Sequence, residues 1–420
     1  MAKSRNHLMF CFAMLCLLLV TWWVYFTFGE EIISKLYYGG ANVLVDVPSE
    51  LAETKNVNEF LGLTKLFLLL LSFLSIAFVV TWMFRDALKI YMKNIFRVTS
   101  NGELQSRIFD ACMLLGCSWA CFYSLINQGF QGSWYVIEDM MNFRGWSPFQ
   151  QRILFILLAK MIRWAFPGLT YIQSYCLSQL VPIVLGFYFI KKWAELFVSK
   201  AFSFIAQLIL LAMLIPTITY YTFYDFGIVL FFTICLYLLF KREIATYYFV
   251  FAIGILNHEI ILFMVFLYVA IFLKGNILWN KVWISVLMQV SIFIVIRIMQ
   301  FIIIPAPNFI APGRIWVNLN YIFNKPLMLS TTMVSLAVWY LISFMGIKHA
   351  PKDLQRCLIL IPLLIVMTFF VGQLNELRQF DAFIPIAIAI IMCLFGSIQK
   401  GLFIRVNNHQ KDDEKPAFSM

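Results

Sequence analysis

Long apolar runs recur along almost the whole of this chain, and they constrain its fold more than any other feature. The longer runs hold about 17–22 residues, the length of helix that crosses the hydrocarbon core of a bilayer. Hydrophobic residues make up 62% of the 420 residues and charged residues only 13%, whereas an average soluble domain is about a quarter charged. A soluble fold of this composition would expose large apolar patches and would aggregate. The sequence therefore predicts an all-α, polytopic transmembrane bundle without a sizeable soluble domain.

The apolar runs predict about twelve membrane-spanning helices, and ten or eleven crossings would also fit them. The predicted helices lie near 8–28, 63–83, 109–127, 170–190, 201–219, 226–240, 244–257, 259–273, 282–304, 327–346, 357–371 and 380–398. A further apolar segment, 149–166, carries Lys160 and Arg163, which would be costly at bilayer depth. We expect this segment to form an amphipathic helix on the outer interface.

The distribution of these runs and of the basic residues predicts the organisation of the chain. We divide it into an N-terminal two-helix membrane segment at 1–90, a membrane core at 91–400 and a polar tail at 401–420. Connections rich in Lys and Arg usually face the cytoplasm, and alternate connections hold about two thirds of the 32 basic residues. This asymmetry predicts a multi-pass protein of the cytoplasmic (inner) membrane with both termini in the cytoplasm.

The charge, cysteines and histidines limit the partners of the chain. The net charge of +11 is spread between the apolar runs, and no basic block of the kind that follows a phosphate backbone is found. The sequence therefore predicts no nucleic-acid partner. None of the nine cysteines forms a Cys-x-x-Cys pair, and the four histidines are far apart. Because metal sites need clustered ligands, the sequence predicts no metal site and makes no other cofactor evident.

Ionisable residues collect in the connections predicted to face outward, close to the ends of helices. These residues are Glu138, Asp139, Arg144, Arg152, Asp225, His258, Glu259, Arg314, Glu376, Arg378 and Asp381. Ionisable groups near membrane depth are costly, and they are usually paired or functional. From this topology we infer that the side chains converge at an outer site.

Two acids and one arginine lie in or beside the connection before the interfacial segment. Glu138 or Asp139 could act as a general base on an acceptor hydroxyl, or either could be a solvated loop acid. Arg152 could bind a phosphate or a carboxylate through its planar guanidinium group, or it could extend toward lipid headgroups.

Three later patches offer similar alternatives. Asp225 begins a predicted span, where it could cap the helix or contact a ligand. His258 and Glu259 interrupt a long apolar stretch, either as a turn between spans or as polar contacts that face an outer cavity. Glu376 and Arg378 could pair with each other, or Arg378 could contact a lipid-linked phosphate.

Taken in order, these patches resemble those of a broad group of bacterial multi-pass proteins related to the GT-C glycosyltransferases. The resemblance rests on an outer-loop acid, Pro-Phe-x-x-Arg-Ile-Leu at 148–154, Tyr-Asp at 224–225, Leu-Asn-His-Glu at 256–259 and Asn-Glu-Leu-Arg at 375–378. It covers residues 130–400, and because each motif is short, their order carries it. His258 stands where the group often has Arg, and the segment 134–139 is not a clear Asp-x-x-Tyr acidic loop.

The resemblance implies a GT-C-like fold and transfer of a sugar on the outer face of the membrane. The donor would be a polyprenyl-phosphate sugar, the acceptor a glycan or a lipid, and membrane lipid would surround the protein. Asp139 or Glu138 would be the catalytic base, and Arg152 and Arg378 would bind the phosphate. The other residues implied in substrate binding are Arg144, Asp225, His258, Glu259, Arg314 and Glu376. Some members of the group use a divalent metal, so the resemblance allows one, although no ligand set is evident in this sequence.

Two other functions remain open. A polysaccharide polymerase of the O-antigen or capsule type also uses lipid-linked substrates and outer arginines, but it often has a larger outer loop than the one at 29–62. A transporter or flippase is the second alternative. Such proteins often contain internal repeats and broken helices, and the polar break at 257–259 could mark one broken helix.

Overall fold

A computed structural model describes the central part of the chain, and all its regular elements there are helical. The described residues are 102–129, 134–145, 149–219, 222–273, 279–304, 314–324 and 326–397. The helices predicted at 8–28 and 63–83, the N-terminal segment 1–90 and the tail 401–420 lie outside them. Within the described residues the prediction of an all-α protein is confirmed.

The helices follow one another with short connections, several of which contain a single 3-10 turn. The first seven are α1 (Gly102–Ser124), α2 (Trp134–Met141), α3 (Leu154–Ala165), α4 (Tyr171–Ala194), α5 (Ile205–Leu214), α6 (Asp225–Lys241) and α7 (Ile244–Asn257). The next seven are α8 (Phe263–Phe272), α9 (Trp279–Ile303), α10 (Ile315–Asn324), α11 (Pro326–Gly346), α12 (Lys352–Arg356), α13 (Leu360–Phe370) and α14 (384–397). Three 3-10 turns precede helices near the candidate site, at Phe149–Gln151, Glu259–Leu262 and Leu377–Phe383.

Among the described residues, five helices are long and apolar enough to cross a membrane, by length and composition. They are Ile108–Asn127, Tyr171–Ala194, Lys281–Ile303, Lys352–Phe370 and Leu377–Ser397. Shorter apolar helices cover Ile205–Thr217, Ile244–Asn257, Glu259–Phe272 and Val334–His349. These helices agree with a polytopic helical membrane protein. The count of about twelve crossings, the GT-C-like fold and the sidedness stay predictions.

The segment predicted to lie on the interface forms α3, which is amphipathic. Its inner face buries Phe155, Ile156 and Ala159, while Met161 and Trp164 on another face are 66% and 86% exposed. The helix packs against α4, and because its other face is exposed, it lies on the outside of the bundle. Its position at a membrane interface stays a prediction.

The last described helix, α14, is the centre of the bundle. Of the most apolar 18-residue stretch within Leu377–Ser397, 83% is buried, and the indole N–H of Trp193 on α4 donates to the carbonyl of Pro385 over 2.9 Å. A Cβ at Gly346, at the end of α11, would collide with the backbone of Ile390. Small residues at such crossings let helix backbones approach closely. The described residues from Phe109 to Asn324 and from Leu329 onward form one compact unit, which contains the candidate site.

Candidate functional site

Ionisable side chains from five parts of the chain meet in one place. These parts are the segment before α3, the start of α6, the break between α7 and α8, the turn before α14, and α9. The charged cluster consists of Arg152, Tyr224, Asp225, His258, Glu259, Arg297, Glu376 and Arg378. Because apolar helices surround it, its charges have little water to solvate them, so they depend on one another.

Arg152 is positioned by a 3-10 turn whose two glutamines are buried. The side chain of Gln150 accepts from the backbone N–H of Gly145 over 2.6 Å and donates to the carbonyl of Met140 over 3.2 Å. The carbonyl of Gln151 accepts from the side-chain amide of Gln300 over 2.8 Å. The turn is therefore tied both to the end of α2 and to α9, which fixes the place where the arginine leaves the backbone.

Arg152 and Glu259 form a two-point ion pair, the geometry that a guanidinium group and a carboxylate prefer. Nε of Arg152 lies 3.0 Å from Oε2 of Glu259, and Nη2 donates to Oε1. Arg297 approaches the same carboxylate, with Nη1 3.9 Å from Oε2. Burial lowers the pKa of Arg152, but the Glu259 carboxylate more than offsets this, so the pKa stands above its ordinary value. Arg152 therefore stays charged.

Tyr224 lies next to both arginines of the cluster, Arg152 and Arg378. Its ring centroid lies 4.1 Å from the guanidinium carbon of Arg152, a cation–π distance, and 4.9 Å from the His258 ring. Burial raises the pKa of Tyr224 to about 12, so the phenol keeps its proton. Its hydroxyl is also within reach of Arg378, which makes Tyr224 the bridge between the arginines.

His258 is neutral and acts as a helix cap. Its Nδ1 accepts from the backbone N–H of Ile260 over 3.1 Å, which an imidazolium could not do. Burial, and next the charge of Arg152, hold the pKa of His258 well below its usual range. The break at 257–259 is thus a capped turn that also presents Glu259 to Arg152.

Arg378 forms the second cationic centre. Its Nε and Nη2 donate to Oε2 of Glu376 over 3.1 and 2.9 Å, and Gln379 donates to the same oxygen over 2.9 Å. Nη1 lies 3.6 Å from Oδ2 of Asp225. Arg378 therefore lies between two acids and is only 8% exposed.

Asp225 and Asp381 are the most deeply buried acids near the cluster. Asp225 is 3% exposed and Asp381 0%, and Oδ2 of Asp225 and both oxygens of Asp381 have no hydrogen-bond partner of normal geometry among the described residues. Arg378 and the hydroxyl of Thr217 are close enough to Asp381 to interact with it electrostatically. The 3.6 Å approach of Arg378 to Asp225 is longer than its hydrogen bonds to Glu376.

Six residues that the sequence predicted in the site lie in the charged cluster, and four lie outside it. The six are Arg152, Asp225, His258, Glu259, Glu376 and Arg378. On and just after α2, Glu138 and Arg144 are exposed and Asp139 is half-buried; none of them has a recorded contact with the cluster among the described residues. Arg314 precedes α10, where its backbone N–H donates to the carbonyl of Phe370 over 3.0 Å. The functional roles of all ten stay predictions.

Arg297 and Tyr224 are two further members of the cluster. The sequence places Arg297 inside the predicted helix near 282–304, where a basic residue is expected to pair with an outer acid, and its 3.9 Å approach to Glu259 agrees with this. The sequence assigns no role to Tyr224. Tyr224 was visible in the Tyr-Asp motif, but the contact between its ring and Arg152 joins positions 72 apart, and no local pattern reports such a contact. Within the described part of the chain, no group of three or more His, Cys, Asp or Glu side chains could hold a metal.

A glycine allows α6 and α7 to approach beneath the cluster, and this predicts a sensitive position. A Cβ at Gly227 would lie 2.6 Å from the amide of Asn257 and 2.6 Å from the ring of Phe155. Asn257 donates to the carbonyl of Tyr224 over 3.2 Å, so a displaced Asn257 would release the start of α6. We expect Gly227→Ala to lower the free energy of unfolding by about 1–3 kcal/mol, as overpacking does, in chemical denaturation in mixed micelles.

Gly186→Ala is the control for that measurement. A Cβ there would meet nothing within 4 Å, so the helical alanine should raise the free energy of unfolding by about 0.5–1 kcal/mol. If Gly227→Ala were as stable as the unmodified protein, the close packing of α6 against Asn257 would be refuted.

No family model, curated protein or solved structure matches this chain.

Proposed function

We propose that this protein is a membrane glycosyltransferase that moves a sugar from a polyprenyl-phosphate donor to a glycan or lipid acceptor. The observation that carries the proposal is the charged cluster, in which two buried arginines, each paired with a carboxylate, flank one tyrosine inside a bundle of apolar helices. A protein that stays in the membrane for purely structural reasons has no need of such a costly arrangement.

The arginines provide the chemistry for a phosphate leaving group. Arg152 and Arg378 are near enough for their charges to repel each other, and an anion between them would relieve that repulsion. A donor phosphate would compete with Glu259 and Glu376 for the two guanidinium groups. The side chain of Glu259 is 32% exposed, so this edge is where a phosphate would enter. Fixed cations that face a developing negative charge are a large source of rate enhancement.

Asp225 is the acid of the cluster best suited to act as the base. Glu259 and Glu376 each accept at least two hydrogen bonds from an arginine, whereas the approach of Arg378 to Oδ2 of Asp225 is longer, at 3.6 Å. In the proposed step, the acceptor hydroxyl gives its proton to Asp225 while its oxygen bonds to the anomeric carbon. The bond from that carbon to the phosphate oxygen breaks, and polyprenyl phosphate leaves with the electron pair.

We place the site at the outer face of a cytoplasmic membrane, in a GT-C-like bundle of about twelve crossings with both termini inside, as loop charge predicts. The apolar helix surfaces would accommodate the prenyl chain. Asp139 and Glu138 remain the alternative bases, and a divalent metal remains compatible with the chemistry.

A polysaccharide polymerase is the second candidate, and the same cluster favours it because it also acts on lipid-linked phosphates. A transporter or flippase is the third, and the broken helix at 257–259 favours it. In both cases Arg152 and Arg378 would recognise a phosphate, so the candidates differ in the product rather than in the site.

The test measures surface-glycan composition, linkage and chain length in the organism that carries the gene. We would compare the parent, a deletion, and deletions carrying the unmodified gene, Arg152→Gln/Glu259→Gln, or the exposed-site control Lys281→Gln, all with confirmed membrane expression. We expect deletion to remove one defined sugar or branch, which the unmodified gene and the control restore and the double variant does not. Shorter chains of unchanged composition would favour the polymerase. Identical glycans in all strains would refute transfer onto surface glycan in that growth condition.

A further inference from the structure

A second basic site lies on α3, outside the charged cluster. Lys160 and Arg163 lie one turn apart on this helix, and neither has a recorded ion pair within the described part of the chain. Instead, each rests on an aromatic face: Nζ of Lys160 is 3.5 Å from the centroid of the Phe143 ring, and the guanidinium carbon of Arg163 is 3.6 Å from that of Tyr171. An aromatic face attracts a cation without occupying its hydrogen-bond donors, so these donors remain available to an anion.

The two cations line an open cavity of about 450 Å³, together with Trp164 and Tyr171. This volume falls in the range of about 300–1,000 Å³ that is typical of small-ligand sites. Burial lowers the pKa of Lys160, and the Tyr171 side chain only partly offsets this lowering. A bound anion would counteract this lowering.

The backbone beneath Lys160 is strained in a way that places an aromatic ring there. Phe143 has φ of 57°, the left-handed conformation that glycine usually supplies just after a helix. An L-residue with a large side chain adopts this conformation only at an energetic cost. Such strain is concentrated at functional positions, and here it brings the Phe143 ring under the ammonium group.

The apolar surface beside the cavity suits acyl chains. Trp164, Met161 and Phe166 are 86%, 66% and 63% exposed, and α3 carries its buried face on the opposite side. An exposed apolar face flanked by Lys and Arg is the pattern of a helix that lies in the headgroup region of a bilayer. A ligand that combines a phosphate with acyl chains would satisfy both parts of this surface.

We propose that the cavity beside α3 binds the phosphate of an anionic phospholipid, with Lys160 and Arg163 as its cationic ligands and Phe143 and Tyr171 as their aromatic supports. Its occupant is structural lipid rather than the sugar donor, because the site has no recorded contact with the charged cluster among the described residues. The proposal does not depend on glycosyl transfer.

The test uses the full-length protein purified in detergent, with phosphatidylglycerol titrated against thermal unfolding. We expect phosphatidylglycerol to raise the unfolding temperature, with phosphatidylcholine much less effective. Because each basic residue contributes to binding an anionic lipid surface, Lys160→Gln/Arg163→Gln should need about 30-fold more phosphatidylglycerol for the same shift. The charge-preserving exchange Lys160→Arg/Arg163→Lys should bind within about threefold of the unmodified protein, since charge near the lipid surface supplies most of the attraction.

Two controls make the proposal refutable. Lys281→Gln/Lys348→Gln removes the same charge from exposed positions elsewhere and should leave the titration unchanged. If it weakened the lipid effect as much as the α3 pair does, net charge rather than this site would explain binding. Inorganic phosphate in place of the lipid should give no shift. An equal shift would assign the site to soluble phosphate and overturn the lipid proposal, as would a double variant that responds like the unmodified protein.

Discussion

Replacing Arg152 with glutamine is expected to lower the free energy of unfolding by about 2–3 kcal/mol. Removing one member of a buried ion pair costs about 3–5 kcal/mol, because the remaining charge has lost its partner. Here the loss is smaller, because the remaining Glu259 side chain is 32% exposed and can be partly solvated, whereas the side chain of Arg152 is 7% exposed. The cation–π contact with Tyr224, at 4.1 Å, would be lost as well. Chemical denaturation in mixed micelles would measure the difference.

The double variant Arg152→Gln/Glu259→Gln should recover most of that loss. Neutralising both partners removes the uncompensated charge, and a neutral pair of similar volume is often tolerated in place of a buried ion pair. The exposed Arg144 is the matched control, and Arg144→Gln should stay within about 0.5 kcal/mol. If the single and double variants were equally unstable, the main role of Arg152 would be packing rather than pairing with Glu259.

Most helices of the described region were predictable from the sequence, because apolar runs of bilayer length form helices that satisfy their own backbone. The start and end of α7 match the predicted 244–257. The helices that escaped prediction were α2, α10 and α12, of 8, 10 and 5 residues. All three are too short to cross a bilayer by themselves, and a pattern based on spans does not report them.

The sequence predicted the residues of the site better than the contacts between them. Glu376 and Arg378 are two residues apart, so their ion pair was among the alternatives considered. Arg152 and Glu259 are 107 residues apart, and their contact depends on how α3 and α7 pack. The predicted topology put Asp139 on the same side of the membrane as these residues. Topology does not predict which residues on that side contact one another, so it could not show that Asp139 lies outside the cluster.

The neutral state of His258 suits its surroundings in the charged cluster. A permanent charge at this position would add a fourth cation beside Arg152, Arg297 and Arg378. The imidazole instead accepts a backbone hydrogen bond over 3.1 Å and caps the turn that carries Glu259. In this chain the position therefore contributes to the geometry of the acid, and Arg152 supplies the charge.

The largest effect on activity is expected from Asp225→Asn. If Asp225 accepts the proton of the acceptor hydroxyl, an amide of the same shape cannot replace it, and general base catalysis contributes about 10²–10⁴-fold. Incorporation of the sugar that the deletion removes should fall to about one hundredth of the normal rate or less. Folding should be retained, because Arg378 keeps its two hydrogen bonds to Glu376.

Asp139→Asn and Glu138→Gln decide between the two locations of the base. Both side chains lie on α2, where Glu138 is exposed and Asp139 half-buried, so both variants should incorporate sugar at close to the normal rate if Asp225 is the base. A normal rate with Asp225→Asn and a loss with Asp139→Asn would return the base to α2, where the sequence alone predicted it. If Asp225→Asn lost sugar incorporation but kept an unchanged unfolding midpoint, Asp225 would have a chemical role. Replacing a purely structural acid would lower both the rate of incorporation and the unfolding midpoint. Arg378 would then have two distinct neighbours, with Glu376 orienting its guanidinium group toward the phosphate and Asp225 next to it receiving the proton.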